Sequence, residues 1–402
     1  MDRTNAYPAG PHHRHQSSLQ GVLHAGTPVM DENTRAQAKT RMRHVLQHCE
    51  EASASQQLPR QDYNRPALVR LTHEYARSDE SLFLSSFFGH LELPLEGGVT
   101  DPDVDFNDPE VKARLYESVD AFAEYLMDNF FVPLKSASNK TPQPSPITHS
   151  AVQRAQGSAA LPQSVAGTPD RISALRGTCL VRDRHRCVIS RKFDTNEGQR
   201  RYRTAQAGIV RDDDGLPIGA HDFRHLEVAH ILPHSLVKAP IDSLLDPARK
   251  ITLDILNMFD VGVVHLIEGA EIDRPYNAIT LSIDHRLKFG SFQLFFEPLS
   301  DQQPPHTHRI DAFDPFLRNI LGLPVTRTLY LSDNRNIDPP SPRLFAIHCA
   351  IGHILHLSGA GNYIDQIFRD AEEYGIRSDG STQLGTLLSL KLNSTECIGV
   401  RS

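Results

Sequence analysis

The stretch that decides the fold runs from Leu226 to Phe296. It opens Leu226-Glu227-Val228-Ala229-His230-Ile231-Leu232-Pro233-His234 and closes Asn277-Ala278-Ile279-Thr280-Leu281-Ser282-Ile283-Asp284-His285-Arg286-Leu287-Lys288-Phe289-Gly290. A histidine leaves one apolar strand, an asparagine opens a second, and another histidine follows just after that strand. Gln293 to Glu297 then reads as a further, strongly aromatic strand.

Working outward, Arg186 to Ser190 reads as a strand before the first histidine, and Ile172 to Arg184 as a region that begins with a short helix. Asp212-Asp213-Asp214-Gly215 reads as a turn or acidic loop. Ser243 to Met258 has helical apolar spacing, and Val261 to Ile267 reads as a strand. Downstream, Ser341-Pro342 signals a helix start. Its apolar face is Leu344, Ile347, Ile351, Ile354 and Leu355, and Gly359 is the stop. Asn362 to Tyr374 gives another helix, and Ser378 to Ser402 reads as a loose tail.

Upstream, the first 32 residues are polar and lack periodicity, as expected of a disordered segment. Thr34 to Glu51 is predicted helical, with Ala38, Met42, Val45, Leu46 and Cys49 on one face. Pro66 to Arg77 and Asp79 to Leu91 read as two more helices. Asp108-Pro109 supplies a cap and a first-turn proline for a helix striped by Val111, Leu115, Val119, Phe122 and Leu126. These helices predict a small helical domain over 33–133. Residues 134–170, dense in Ser, Pro, Thr, Ala and Gly, read as a linker. The remaining divisions are a domain over 171–300, a C-terminal helical extension over 301–377 packed on it, and the tail over 378–402.

The 402 residues carry a net charge of -7, which does not by itself advertise a nucleic-acid partner. The distribution is uneven. From Arg171 to Arg203, ten basic residues stand against three acidic ones, so this segment is +7 and the rest -14. Such a segment suits phosphate neutralisation, or else forms a solvated basic face. The five cysteines make no disulfide framework, the N-terminus does not look like a secretory signal, and no apolar run reaches 18 residues. The expectation is an intracellular chain, in cytoplasm or nucleus, without a membrane span.

Taken together, Arg186-Cys187, the Ala229-His230-Ile231 run, Asn277, His285 and the Phe292 to Pro298 strand resemble the HNH endonuclease family, in the branch common in fungal proteins. The resemblance implies an α+β fold: a ββα-metal core with flanking helices, beside a separate small N-terminal helical region. It implies a phosphodiester hydrolase in which His230 is the general base, Asn277 orients the His230 loop, and His285 is both catalytic and a metal ligand. Arg286 and Lys288 are close enough in sequence to touch phosphate. The cofactor implied is a divalent metal, Mg2+ foremost, with Mn2+ or Zn2+ as alternatives. The partner implied is nucleic acid, DNA ahead of RNA; protein partners stay open. Each histidine also has a plainer reading as a satisfied structural side chain, and Asn277 as a turn residue.

Two departures stand out. Many members carry an Asp or His ligand directly before the base, where this chain has Ala229. Glu227, Asp284 or a residue not placed from sequence would have to serve instead. Cys179 and Cys187 have no matching second pair, so no four-cysteine zinc site is expected. The competing function is a degenerate module that binds nucleic acid or protein without cleaving. A purely structural or interaction protein built on the N-terminal helices is a third class.

Overall fold

The computed structural model describes residues 30–55, 62–76, 80–139, 168–204, 208–234, 247–299, 304–332 and 336–373. The polar N-terminal segment up to residue 29, the linker interior 140–167 and the tail 378–402 lie outside these described residues, as do positions 243–246, where a helix start was expected.

The chain is α+β. Four helices come first: α1 (Glu32–Ser55), α2 (Arg65–Tyr75), α3 (Glu80–His90) and α4 (Pro109–Leu126). The helical spacing of α1 is realised in packing, since Ala38, Met42, Val45, Leu46 and Cys49 are all buried. In α4 the Asp108 carboxylate accepts hydrogen bonds from the backbone N–H groups of Glu110 and Val111, and Pro109 fills the first turn. A π-turn, Met127–Phe131, leads from α4 into α5 (Val132–Asn139).

After α6 (Thr168–Arg182) come β1 (Phe193–Asp194), α7 (Thr195–Thr204), β2 (Phe223–Arg224) and β3 (Leu226–His230). They are followed by α8 (Pro247–Phe259), α9 (Val264–Ile267), β4 (Ala278–Ser282) and α10 (Ile283–Gly290). The C-terminal part holds β5 (Leu294–Pro298), β6 (Thr307–Ala312), α11 (Pro315–Leu321), β7 (Val325–Thr328), α12 (Pro342–Leu357) and α13 (Ala360–Glu373). The described residues form three small sheets: parallel β1–β2, antiparallel β3–β4, and the antiparallel order β5–β6–β7. Strands β3 and β4 with α10 form a ββα unit.

Two expected strands are not strands. Around Arg186 to Ser190 there is one bridge, Arg186 to Phe193, and then a tight turn. Cys187 N–H donates to Lys192 O, Arg191 N–H donates to Cys187 O, and Arg191 adopts a positive φ of 62°. The chain reverses before a ladder can extend. Over Val261 to Ile267, Gly262 turns at φ 79° and the chain enters α9, with Val263, Val264 and Ile267 buried on one side. A short apolar run is compatible with either period, and here the helical one won.

One continuous apolar core reaches from Met30 to Ile364. The N-terminal helices pack on one another and also on the C-terminal ones. Tyr63 lies 4.9 Å from Tyr363 between ring centres, and Asn64 N–H donates to Ser358 O at 2.9 Å. Phe130 stacks on Phe259, and Lys135 pairs with Asp365 at 2.7 Å. Among the described residues no single helix is long and apolar enough to cross a membrane. The apolar pair made by α12 and the start of α13 bends by 81°.

Candidate active site

The β3–β4 ladder places the sequence-derived residues. Its register sets His230 opposite Ala278 and Leu226 opposite Ser282. His230 therefore ends β3 at one mouth of the hairpin, and Asn277 stands beside it just before β4. Asn277 is fully buried. Its Oδ1 accepts from Leu232 N–H at 2.9 Å, while Nδ2 donates to Leu232 O and Ile272 O, both at 3.0 Å. Ile231 N–H also donates to Asn277 O at 2.8 Å. One amide side chain thus ties the segment after His230 to the turn that precedes β4.

That turn, the 3-10 segment Gly269–Asp273, delivers Asp273 to the hairpin mouth. His230 Nε2 lies 3.1 Å from Asp273 Oδ1, and His234 Nδ1 lies 2.8 Å from the same oxygen. The two imidazole centres are 5.8 Å apart. Arg171 Nε donates to the other oxygen, Oδ2, at 3.3 Å. Burial would raise the Asp273 carboxyl, but hydrogen bonds from His230 and His234 and their charge outweigh it and hold it well below the usual carboxylate range. The carboxylate oxygen only accepts, so each facing ring nitrogen carries a proton. His230 keeps Nδ1 as its basic nitrogen, and His234 keeps Nε2. The latter is buried and has no hydrogen-bond partner among the described residues.

The second sequence-derived histidine lies elsewhere. His285 follows Ser282, at the far end of the ladder from His230, about 13 Å along four strand residues. It is buried, with Nδ1 2.6 Å from Ser282 Oγ, and it stands against Cys187. Burial would raise the Cys187 thiol, but hydrogen bonding to His285 and the Ser190 N–H bring it down to about 7. The fold thus gathers His230 and Asn277 at one mouth and leaves His285 in a buried pairing at the other. Of the substitutes for a ligand at Ala229, Glu227 is held by Arg286 at 3.0 Å and Asp284 is exposed on α10. His230, His234 and Asp273 form the site's candidate metal-ligating group, with ligand atoms within 4.8 Å of one another.

Asp273 is not singled out by its sequence context, and His234 stands outside the catalytic set drawn from sequence. The His-x-x-x-His spacing of 230 and 234 was the available signal for His234. Nothing local marks Asp273 among the acidic residues.

The basic segment is largely engaged inside the molecule. Arg182 makes a two-pronged bond to the Asp183 carboxylate and donates to the carbonyls of Pro275 and Ala278. Arg184 pairs with Asp214, Arg186 with Asp212, Lys192 with Asp222, and Arg200 and Arg201 with Glu197. The acidic loop at 212–214 thus screens much of the positive charge counted along the chain.

The HNH endonuclease family model matches residues 187–297, from the turn at Cys187 to the end of β5. This chain carries an HNH-family domain. No curated protein and no solved structure matches the chain. Members of the HNH family generally use a divalent metal, and the HNH domain points to nuclease-type chemistry with a nucleic-acid substrate.

Proposed function

We propose that the HNH domain is a divalent-metal-dependent endonuclease whose reacting groups are gathered at the mouth of the β3–β4 hairpin. The observation that carries this is Asp273, one carboxylate holding both His230 and His234. Such a carboxylate fixes the tautomer of His230 and stabilises its imidazolium form. Nδ1 of His230 takes the proton of an attacking water as the new P–O bond forms and the bond to the leaving oxygen breaks.

The residues fit a metal. His234 presents an unpartnered, buried Nε2 while a carboxylate grips its Nδ1, the arrangement that orients imidazole ligands. His234 Nε2 would hold the ion, with Asp273 behind the ring as the carboxylate that orients it. Bound there, it would supply charge stabilisation on the phosphate oxygens. Imidazole donors suit a borderline ion such as Mn2+ or Zn2+ better than the Mg2+ put first from the sequence. DNA is the substrate we place ahead of RNA.

A second reading also has an observation behind it. Ala229 and the distant, buried His285 leave the hairpin short of a ligand in the family's usual positions, which suits a module that binds nucleic acid without cutting it. The test is plasmid nicking by the full chain with Mn2+, Mg2+, Zn2+ or chelator, beside His230→Ala. Metal-dependent nicking lost in the variant supports the endonuclease. Retention of DNA without nicking by either protein supports the binding module, and equal nicking by the variant overturns the role of His230.

A further inference from the structure

Away from the hairpin, three side chains with metal-ligating atoms meet between β5 and α12. Cys349 and His353 lie one helical turn apart on α12, and Glu297 reaches them from β5. Their ligand atoms lie within 4.8 Å of one another. Cys349 Sγ is 3.5 Å from His353 Nδ1, and His353 Nε2 is 4.0 Å from Glu297 Oε1.

The tautomer of His353 follows from its neighbours. Nδ1 sits 2.9 Å from Cys349 O, and a carbonyl only accepts, so Nδ1 carries the proton. The lone pair is then on Nε2, the nitrogen that faces Glu297. Metal-ligating histidines are commonly anchored this way, with the other ring N–H held by a backbone carbonyl. The ring is also fixed by aromatic neighbours. Phe295 and Phe313 lie 4.8 and 4.9 Å away between centres, and Tyr75 stacks at 5.6 Å. The side chains of Glu297 and His353 remain 35% and 20% exposed, so an ion has a path in.

A histidine bonded to its own helical turn is common, and that contact alone would mean little. Three ligand types converging from two elements, with the lone pair turned toward the carboxylate, mean more. The HNH reading uses none of them: Cys349 and His353 lie beyond the matched segment, and Glu297 is its last residue.

We propose that Glu297, Cys349 and His353 form a second metal site, for a borderline-soft divalent ion such as Zn2+, that ties α12 to β5. A thiolate and an imidazole select zinc-like ions over Mg2+ and Ca2+. Three protein ligands leave one position of a tetrahedral ion for water. Loading displaces the thiol proton to solvent, so affinity rises with pH.

The test is a Co2+ titration of the chelator-stripped full chain, read by absorbance. The expected result is a thiolate-to-cobalt charge-transfer band that Zn2+ abolishes. The hairpin cluster of His230, His234 and Asp273 contains no sulfur and cannot give this band, so His230→Ala and His234→Ala keep it. Cys187→Ser keeps it too. Cys349→Ser removes it, and Glu297→Gln, a change at a partly exposed side chain, weakens Co2+ binding by at least about tenfold. Absence of the band in the wild-type chain, or its survival in Cys349→Ser, overturns the proposal. If Cys349→Ser fails to fold, the Glu297→Gln titration decides: unchanged affinity overturns the site.

Discussion

A single carboxylate that grips two imidazoles makes separable predictions for His230 and for Asp273. His230→Ala removes the basic nitrogen but leaves His234 and Asp273, so nicking should fall by about 10²- to 10⁴-fold with metal binding kept. Asp273→Asn loses the tautomer control of both rings, the basic nitrogen of His230 and the ligating one of His234, so nicking and metal affinity should fall together. Calorimetric titration with Mn2+ beside the nicking assay separates the two. Loss of metal binding in His230→Ala would show that His230 is a ligand and not the base.

His285 makes a contrasting case. It is buried against Ser282 and Cys187, so His285→Ala should cost about 1–3 kcal/mol in urea unfolding through stranded polar partners. Its effect on metal affinity should be small; a large drop would restore it as a ligand. That His230 and Asn277 meet at one hairpin mouth was legible because each sits at a strand terminus within a recognisable pattern. Asp273 was not, because 43 positions separate it from His230 and only the 3-10 turn brings it back. The placement of His285 was hidden in the ladder: an antiparallel strand that begins beside His230 carries whatever follows it away from that histidine.

Among the elements, α6 and β4 are joined by a buried charge pair that spacing could not reveal. Arg182 and Asp183 have almost no exposed side-chain surface, and Arg182 also donates to the carbonyls that flank Asn277. Asp183 accepts from Thr280 N–H at 3.1 Å in the middle of β4. Removing one partner of such a pair strands the other charge. Asp183→Ala should therefore destabilise the chain by about 3–5 kcal/mol, measured by urea unfolding. A cost below about 1 kcal/mol would mean the guanidinium finds water.

The amphipathic helices α1 and α4 could be read because 3.6-residue spacing and a capping Asp-Pro are local signals. Helix α7 could not: its sequence is almost wholly polar, and it is fixed by Glu197, which is buried against Arg200 and Arg201. Strands β6 and β7 are equally silent, since charged residues such as Arg309 and Arg327 interrupt them and the sheet is made by pairing β6 with β5 and β7 with β6.

At the scale of the whole molecule, the HNH segment is built into a larger core. Helix α12 is the link: Phe345 stacks on Phe296 of β5, and His348 packs flat on Phe289 of α10 with ring centres 3.9 Å apart. His348 Nε2 donates to Phe289 O at 3.0 Å, which leaves a neutral ring with a buried lone pair on Nδ1. Burial opposes its protonation, the carbonyl favours it, and the balance lowers the imidazole to about 3. The unfolded chain binds that proton near pH 6.5. Between about pH 6.5 and 3 the unfolded state therefore holds more protons, and stability falls as pH falls. At pH 5 this one group should cost about 2 kcal/mol relative to neutral pH. His348→Gln keeps a donor for Phe289 O but cannot take up a proton. It should start less stable at pH 7, through poorer stacking, and lose less on acidification. The measurement is urea unfolding of both proteins at pH 7 and pH 5. A stability difference between them that stays constant across that interval would show that His348 does not couple acid to the joint between α12 and the HNH helix.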